Sequence, residues 1–251
     1  MEVTLLGTGA PLAPGRATLG LLVTAPGCAP LLIDTCGGFE LARQLALVGQ
    51  PLAGVRDVIV THRHLDHAGG VPALLLASQP LAVHALDDTQ AGLRALVGAT
   101  FPEWAIHPEV AWPVIAPGER REIAGFAVEF FAVEHRVPTV AVRVTHGGHT
   151  LAFSADSVPC DALVACARDA DLFLCDALCA ALDGPDRAAR TRQLMHPTAR
   201  EAAELARAAG AGALGLVHLA RYATPANLLA EAQAVFPGPV AVPDDGQRFT
   251  V

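Results

Sequence analysis

Val55-Arg56-Asp57-Val58-Ile59-Val60-Thr61 runs directly into His62-Arg63-His64-Leu65-Asp66-His67-Ala68-Gly69-Gly70. The first seven residues are rich in β-branched side chains and read as a strand. Three imidazoles and a carboxylate then fall in a short loop at its end. In extended backbone, residues two apart point to the same side, so His62 and His64 face together. Asp66 and His67 follow as the chain turns toward a helix. Such a loop presents two ligands to one metal and two to its neighbour, and mixed imidazole and carboxylate donors suit Zn(II), Mn(II) or Fe(II). A surface loop that is His-rich by chance would not reach this density. Arg63 points away from its histidine neighbours and is assigned no role.

Working outward, the pattern predicts strands over residues 3–6, 19–24 and 31–34, a helix over 39–48, the strand at 55–61, a helix over 68–78, a strand at 81–85 and a helix over 87–97. Residues 100–118 hold four prolines and both tryptophans and read as an irregular loop or short edge strands. Strands follow at 126–133, 140–144 and 150–154, with Gly147-Gly148 as a hairpin turn between the last two. A helix over 160–169, a strand at 172–175, a helix over 198–209 opened by a Thr198/Glu201 capping pattern, a strand at 213–217, a helix over 225–235 and a last strand at 240–242 complete the chain. No linker or charge run divides it. The expectation is one α/β domain over residues 1–251, with two β-sheets packed on each other and helices on the outer faces.

Composition narrows the chemistry. The 251 residues carry 17 basic and 25 acidic side chains, a formal charge of −8. Every basic residue is Arg, which excludes Schiff-base chemistry and a phosphate-loop lysine. The acidic balance and 5% aromatic content disfavour long nucleic-acid partners, which need a basic face and stacking platforms. No apolar run is long enough for a membrane span. The N-terminus lacks the basic flank of a secretory signal. The expected location is the cytoplasm. Cysteines at 28, 36, 160, 166, 175 and 179 show no CxxC spacing and read as reduced thiols, with Cys175 and Cys179 as buried small hydrophobes.

The HxHxDH arrangement of His62, His64, Asp66 and His67 resembles the signature of the metallo-β-lactamase superfamily, whose fold is a four-layer αβ/βα sandwich. The resemblance extends to His135 after the strand at 126–133, to Asp156 after the strand at 150–154 and to His218 after the strand at 213–217. It implies two divalent cations, with Zn(II) foremost and Mn(II) or Fe(II) also accepted. His62, His64 and His135 would hold one, Asp66, His67 and His218 the other, and Asp156 would bridge. Histidine rather than Glu at 64 departs from the redox di-iron branch, and Asp rather than Cys at 156 fits a bridging carboxylate.

Leu6-Gly7-Thr8-Gly9-Ala10-Pro11, Leu32-Ile33-Asp34-Thr35-Cys36-Gly37 and His196-Pro197-Thr198 are similar to the ribonuclease Z branch. This implies that His196 faces the scissile phosphate as proton donor, that Asp176 supports it and that Asp66 orients the attacking water. Two departures matter. The interval from His135 to Asp156 holds one hairpin and no tRNA-gripping arm, and Asp176-Ala177 replaces the branch's Glu-Ala. The stretch Ser154 to Leu178 also resembles short actinobacterial members, some of which cleave cyclic nucleotides.

The expected activity is therefore hydrolysis of a small or cyclic phosphodiester. Lactone or thioester hydrolysis, tRNA 3′-end cleavage and a non-catalytic metal-binding module are the alternatives. A homodimer is implied by resemblance alone.

Other residues stay open. Gly7-Thr8-Gly9 lacks the third glycine of a dinucleotide loop and reads as a tight turn beside the site. Asp34 either orients a metal ligand or caps the helix near Phe39. Arg221 and Tyr222 either contact substrate or pack. His84, His107, His146 and His149 read as surface or satisfied histidines. Residues 100–118 and 184–195 are the expected specificity loops.

Overall fold

The long alternating segments become a pair of facing sheets. The computed structural model describes residues 1–77, 80–102 and 109–251. The first sheet is built from β1 (Glu2–Gly7), β2 (Gly20–Thr24), β3 (Leu31–Ile33), β4 (Asp57–Val60), β5 (Leu81–Ala85) and β6 (Val110–Ala111). The second uses β7 (Arg120–Ile123), β8 (Phe126–Val133), β9 (Thr139–His146), β10 (His149–Phe153), β11 (Leu172–Asp176), β12 (Leu214–Val217) and β13 (Val240–Ala241). β14 (Arg248–Thr250) then returns to the first sheet and pairs antiparallel with β1, Val3 opposite Phe249. Among the described residues each sheet has seven strands, ordered β14-β1-β2-β3-β4-β5-β6 and β13-β12-β11-β10-β9-β8-β7.

Each sheet is mixed for a local reason. Short turns give antiparallel pairs, as at Gly147-Gly148, where both residues take positive φ and His146 faces His149. Helical crossovers give parallel pairs, β3 with β4, β4 with β5, β10 with β11 and β11 with β12.

In β8 the even-numbered Phe126, Val128 and Phe130 are buried while their neighbours are less so, the period-two pattern of a strand with one covered face. Those residues meet Leu5, Leu21, Ile33 and Ile59 of the first sheet in a shared inner core. The outer faces are covered separately. α1 (Glu40–Leu47), α3 (Val71–Ala77) and α4 (Asp87–Thr100) pack Leu41, Leu74 and Leu93 on Val58, Val60 and Val83 of the first sheet. α5 (Asp161–Ala167), α7 (Ala199–Ala209) and α8 (Pro225–Gln233) pack Leu163, Ala202 and Leu228 on Phe173, Cys175 and Leu216 of the second. The result is the expected four-layer αβ/βα sandwich.

Four expectations are corrected. The helix predicted over 68–78 is two pieces, α2 (Leu65–Ala68) and α3, separated at Gly69-Gly70. A Cβ at Gly70 would lie 2.0 Å from the Thr35 carbonyl oxygen, so the glycine allows the loop after β3 to press on the break. The region 184–195, read as a loop, contains α6 (Pro185–Gln193). β7 was not anticipated, and β13 is not the last strand. Residues 103–108 of the predicted irregular stretch, including His107, lie outside the described residues.

Candidate metal centre

Strand ends place the polar residues. β4 delivers Thr61, His62 and His64, and the short α2 carries Asp66 and His67. His135 lies just beyond β8, Asp156 just beyond β10, Asp176 at the end of β11 and His218 directly after β12. All seven predicted donors converge from both sheets at the carboxyl ends of their strands, where open α/β sheets bind ligands.

They fall into two groups that share Asp156. In the first, His62, His64, His135 and Asp156 each offer one donor atom, all within 4.8 Å of one another. His64 Nδ1 is 3.0 Å from His62 Nε2 and 3.2 Å from His135 Nε2. Asp156 Oδ2 is 3.8 Å from both His62 Nε2 and His135 Nε2. The second group is Asp66, His67, Asp156 and His218. Here His67 Nε2 lies 3.4 Å from Asp66 Oδ2 and 3.3 Å from Asp156 Oδ1, and His218 Nε2 lies 3.3 Å from Asp66 Oδ2 and 3.5 Å from Asp156 Oδ2.

The donors fit cations better than one another. His67 Nε2 and Asp156 Oδ1 are buried without a well-aligned hydrogen bond. Leaving such groups unsatisfied costs roughly 1–3 kcal/mol each, more when charged. Converging imidazole nitrogens and a shared carboxylate are a donor set for a pair of divalent ions. The buried His/Asp clusters are thus consistent with a dinuclear metal site.

A second layer of hydrogen bonds sets which nitrogen faces inward. Asp34, fully buried at the end of β3, accepts from His67 Nδ1 at 2.7 Å and from the Thr61 hydroxyl and amide at 2.9 Å each. The Thr61 hydroxyl in turn lies 3.1 Å from His62 Nδ1. A single carboxylate therefore steers one imidazole of each group, His67 directly and His62 through the Thr61 hydroxyl. This decides the open question about Asp34, because α1 has no side-chain cap from it. Thr35 holds the His67 backbone by donating its hydroxyl to the His67 carbonyl at 2.7 Å. His135 Nδ1 lies 3.4 Å from the Met195 carbonyl oxygen.

The protonation preferences follow. Burial holds His62 well below its usual range and pushes His135 down to about 4, leaving their lone pairs available. Burial would also lower His218, but Asp156, Asp176 and Asp66 overcome it and push it up to about 10. His67 is raised in the same way by Asp156 and Asp34 against its desolvation. Asp156 is held well below the usual carboxylate range, burial being outweighed by His218 and His67.

His196 and Asp176 adjoin the second group. His196 Nδ1 donates to Asp176 Oδ2 at 2.6 Å, and its ring stacks on His218 with centroids 4.9 Å apart. Asp176 Oδ1 is also 3.5 Å from His218 Nδ1, so one carboxylate faces both rings. The backbone is strained around this centre. Of the eight non-glycine residues with positive φ among those described, Leu12, Asp34, Cys36, Ala155, Met195 and His218 lie in the site or flank its residues.

The remaining residues sort cleanly. Gly7-Thr8-Gly9 is extended and not the expected turn: Gly7 ends β1, Gly9 bridges to Thr18 and Leu219, and the Thr8 carbonyl accepts from the Leu219 amide at 3.0 Å. Arg63 turns away to Asp88 at 3.0 Å. His84 Nε2 pairs with Asp57 at 3.0 Å while its buried Nδ1 has no hydrogen-bond partner, His146 packs on Cys28 and Phe126, and His149 is exposed. All six cysteines are free, Cys175 and Cys179 being fully buried. Arg221 and Tyr222 line a cavity that opens beside His196. No helix among the described residues is long and apolar enough to cross a membrane. The sequence reading passed over Thr61, Thr35, Met195 and α6. For Thr61 a signal existed, a hydroxyl residue directly before the first histidine; the others carry no local pattern.

Two facing sheets with a His/Asp cage at their shared edge define a metallo-β-lactamase-type hydrolase fold. A family model described as a β-lactamase superfamily domain matches residues 30–219, and the chain belongs to the metallo-β-lactamase superfamily. It is 30% identical to ribonuclease Z of Haloarcula marismortui, covering 100% of this chain and 97% of that protein. It is also similar to the probable metallo-hydrolase YhfI of Bacillus subtilis, 29% identical with 98% of each chain covered. The crystal structure of that protein superposes with a TM-score of 0.84 at 27% identity over 99% of each chain. Human tRNase Z, short form, shares the fold with a TM-score of 0.77 at 23% identity, covering 100% of this chain and 99% of that one.

Proposed function

We propose that the protein is a dinuclear metal-dependent phosphodiesterase acting on a small or cyclic phosphodiester. His62, His64 and His135 would hold one cation, Asp66, His67 and His218 the other, and Asp156 would bridge them, Zn(II) being the ion best suited to these donors. When bound, such a pair would supply an activated water near neutral pH and offset charge on the phosphoryl oxygens. Asp66 would orient the attacking water. Asp34 and Thr61 keep His67 and His62 in the tautomer whose Nε2 faces inward. His196 has its Nδ1 committed to Asp176, which leaves Nε2 to pass a proton to the departing oxygen while Asp176 stabilises the charged ring. Such acid catalysis typically contributes 10²–10⁴-fold.

The observation that carries this reading is the Asp176–His196 pair stacked beside His218. A thioester, whose thiolate leaves readily, needs no such donor, which sets that reading second; a lactone expels an alkoxide and would use one, so the substrate panel separates it from the diester. The hairpin β9–β10 fills the interval between His135 and Asp156, which supports a small substrate over tRNA. The test is a panel of bis-p-nitrophenyl phosphate, cyclic nucleotides, a lactone and a thioester, assayed on protein reconstituted separately with Zn(II) and Mn(II). Turnover confined to the carbonyl esters would replace the proposal. Metal content without turnover on any ester would reduce the protein to a binding module.

A further inference from the structure

Two hollows flank the metal centre and share Pro11 and Leu12 in their walls. One, of about 280 Å³, opens beside His196 and His218 and is walled by Pro11, Leu12, Leu178, Leu194, Ala220 and Tyr222. The other, of about 470 Å³, lies beside Asp66 and is walled by Pro11, Leu12, Gly37, Gly38 and Leu65. Leu12, which lines both, is 82% exposed and at positive φ. Both hollows are apolar although they adjoin a polar, charged centre.

The wall beside His196 is braced from behind. Arg187 of α6 sits over the Tyr222 ring, 5.3 Å from its centroid, and donates to the Tyr222 carbonyl at 3.2 Å. Leu194 follows directly on α6, and the Leu194 amide donates to the Arg190 carbonyl at 3.0 Å. The helix that was read as a loop therefore shapes one side of the cavity. The one charged side chain in the wall, apart from the two imidazoles, is Arg221, which is exposed.

We infer that the cavity beside His196 receives the leaving arm of the diester, and that this arm is a neutral, apolar alkyl or aryl group. The inference rests on the phosphodiesterase reading, because it takes His196 as the donor to the departing oxygen. The group attached to that oxygen then enters the cavity that His196 lines. A sugar or a second phosphate there would lose water against Leu12, Leu178 and Leu194, and the wall offers only the exposed Arg221 and the Tyr222 hydroxyl in return. An apolar arm gains affinity with each carbon it buries.

The experiment uses the metal-loaded protein and measures binding of methyl-, propyl- and pentylphosphonate by calorimetry, with carboxypropylphosphonate as the charged counterpart. Affinity is expected to tighten about 4-fold per methylene through the alkyl series, and the carboxylated chain to bind more weakly than the propyl one. Leu194→Asp flattens the gradient, whereas Leu65→Asp in the other hollow preserves it. Tyr222→Ala, which trims the wall without adding charge, shallows the gradient and serves where Leu194→Asp does not fold. Metal content is measured for each variant. A flat series in the wild type, tighter binding of the carboxylated chain, or flattening by Leu65→Asp alone overturns the inference. Failure of the underlying reading looks different: no phosphodiester is turned over, however the phosphonates bind.

Discussion

Replacing Asp34 with Asn tests how the metal centre is held together. The carboxylate accepts three hydrogen bonds at 2.7 to 2.9 Å, one from His67 and two from Thr61. An amide of the same shape turns an NH2 group toward at least one of those donors and removes the charge that favours an Nδ1-protonated His67. Losing such a partner typically weakens a metal site 10–100-fold, about 1.4–2.8 kcal/mol. His67 is restrained directly and His62 only through the Thr61 hydroxyl. The cation on the His67 side should therefore weaken by about 100-fold and that on the His62 side by about 10-fold. Thr61→Val, which removes the hydroxyl alone, should weaken the His62 side only. Competition against a chromophoric chelator gives the two affinities, elemental analysis the stoichiometry, and circular dichroism confirms that the variants are folded. Unchanged affinity of both ions in Asp34→Asn would refute the reasoning, as would a Thr61→Val protein that weakens both sides equally.

Other expectations follow from the same geometry. His196→Ala should keep its metal complement but lose 10²–10⁴-fold in kcat; wild-type turnover on a true substrate would remove His196 from the reaction. Asp156→Ala should lose at least one ion per chain by elemental analysis, and retention of two would end its bridging role. Burial pushes the Cys166 thiol up to about 12 and also raises Cys36, Cys175 and Cys179. Iodoacetamide at mildly alkaline pH should therefore label only the partly exposed Cys28 and Cys160 until the protein unfolds, read by mass spectrometry. Thr198 caps α7 in a reciprocal box with Glu201, so Thr198→Ala should cost about 1 kcal/mol in chemical denaturation. Hydrogen bonds from Thr198 and Arg192 outweigh burial and hold Glu201 below its ordinary value of 4.5. Its contribution should be complete above that value and fade as pH falls through the lowered one, so Glu201→Gln should match the wild type only in acid.

Most of the fold was legible because its strands alternate. Phe126–Val133 shows a bare period of two and was placed to the residue. The seven side chains that converge were legible because they follow apolar strands, and their spacing and chain order match a known pattern. What escaped detection lacks periodicity. α6 is polar nearly all round, with Ala188 and Thr191 its buried residues, so no apolar stripe marks it. β7 is a short edge segment with only Ile123 buried, and β14 is a short edge segment whose partner β1 lies at the other end of the chain. Asp34 could not be assigned because a carboxylate at a strand end serves a helix cap and a histidine equally well. The cavity walls escaped for a different reason. Leu12, Leu194 and Tyr222 come from separate loops, and nothing in one loop announces the others.

The cage draws His62, His64, Asp66 and His67 from one sheet and His135, Asp156 and His218 from the other. A growing chain that has emerged only as far as α2 offers four donors and no bridge. The last imidazole arrives with β12, after most of the polypeptide has been made. Capture of the second ion on this reading reports that the two leaves of the sandwich have closed in correct alignment. Metal uptake would thus act as a late rivet, and a chelator added during refolding should slow the final seating of the leaves while leaving the formation of each one untouched.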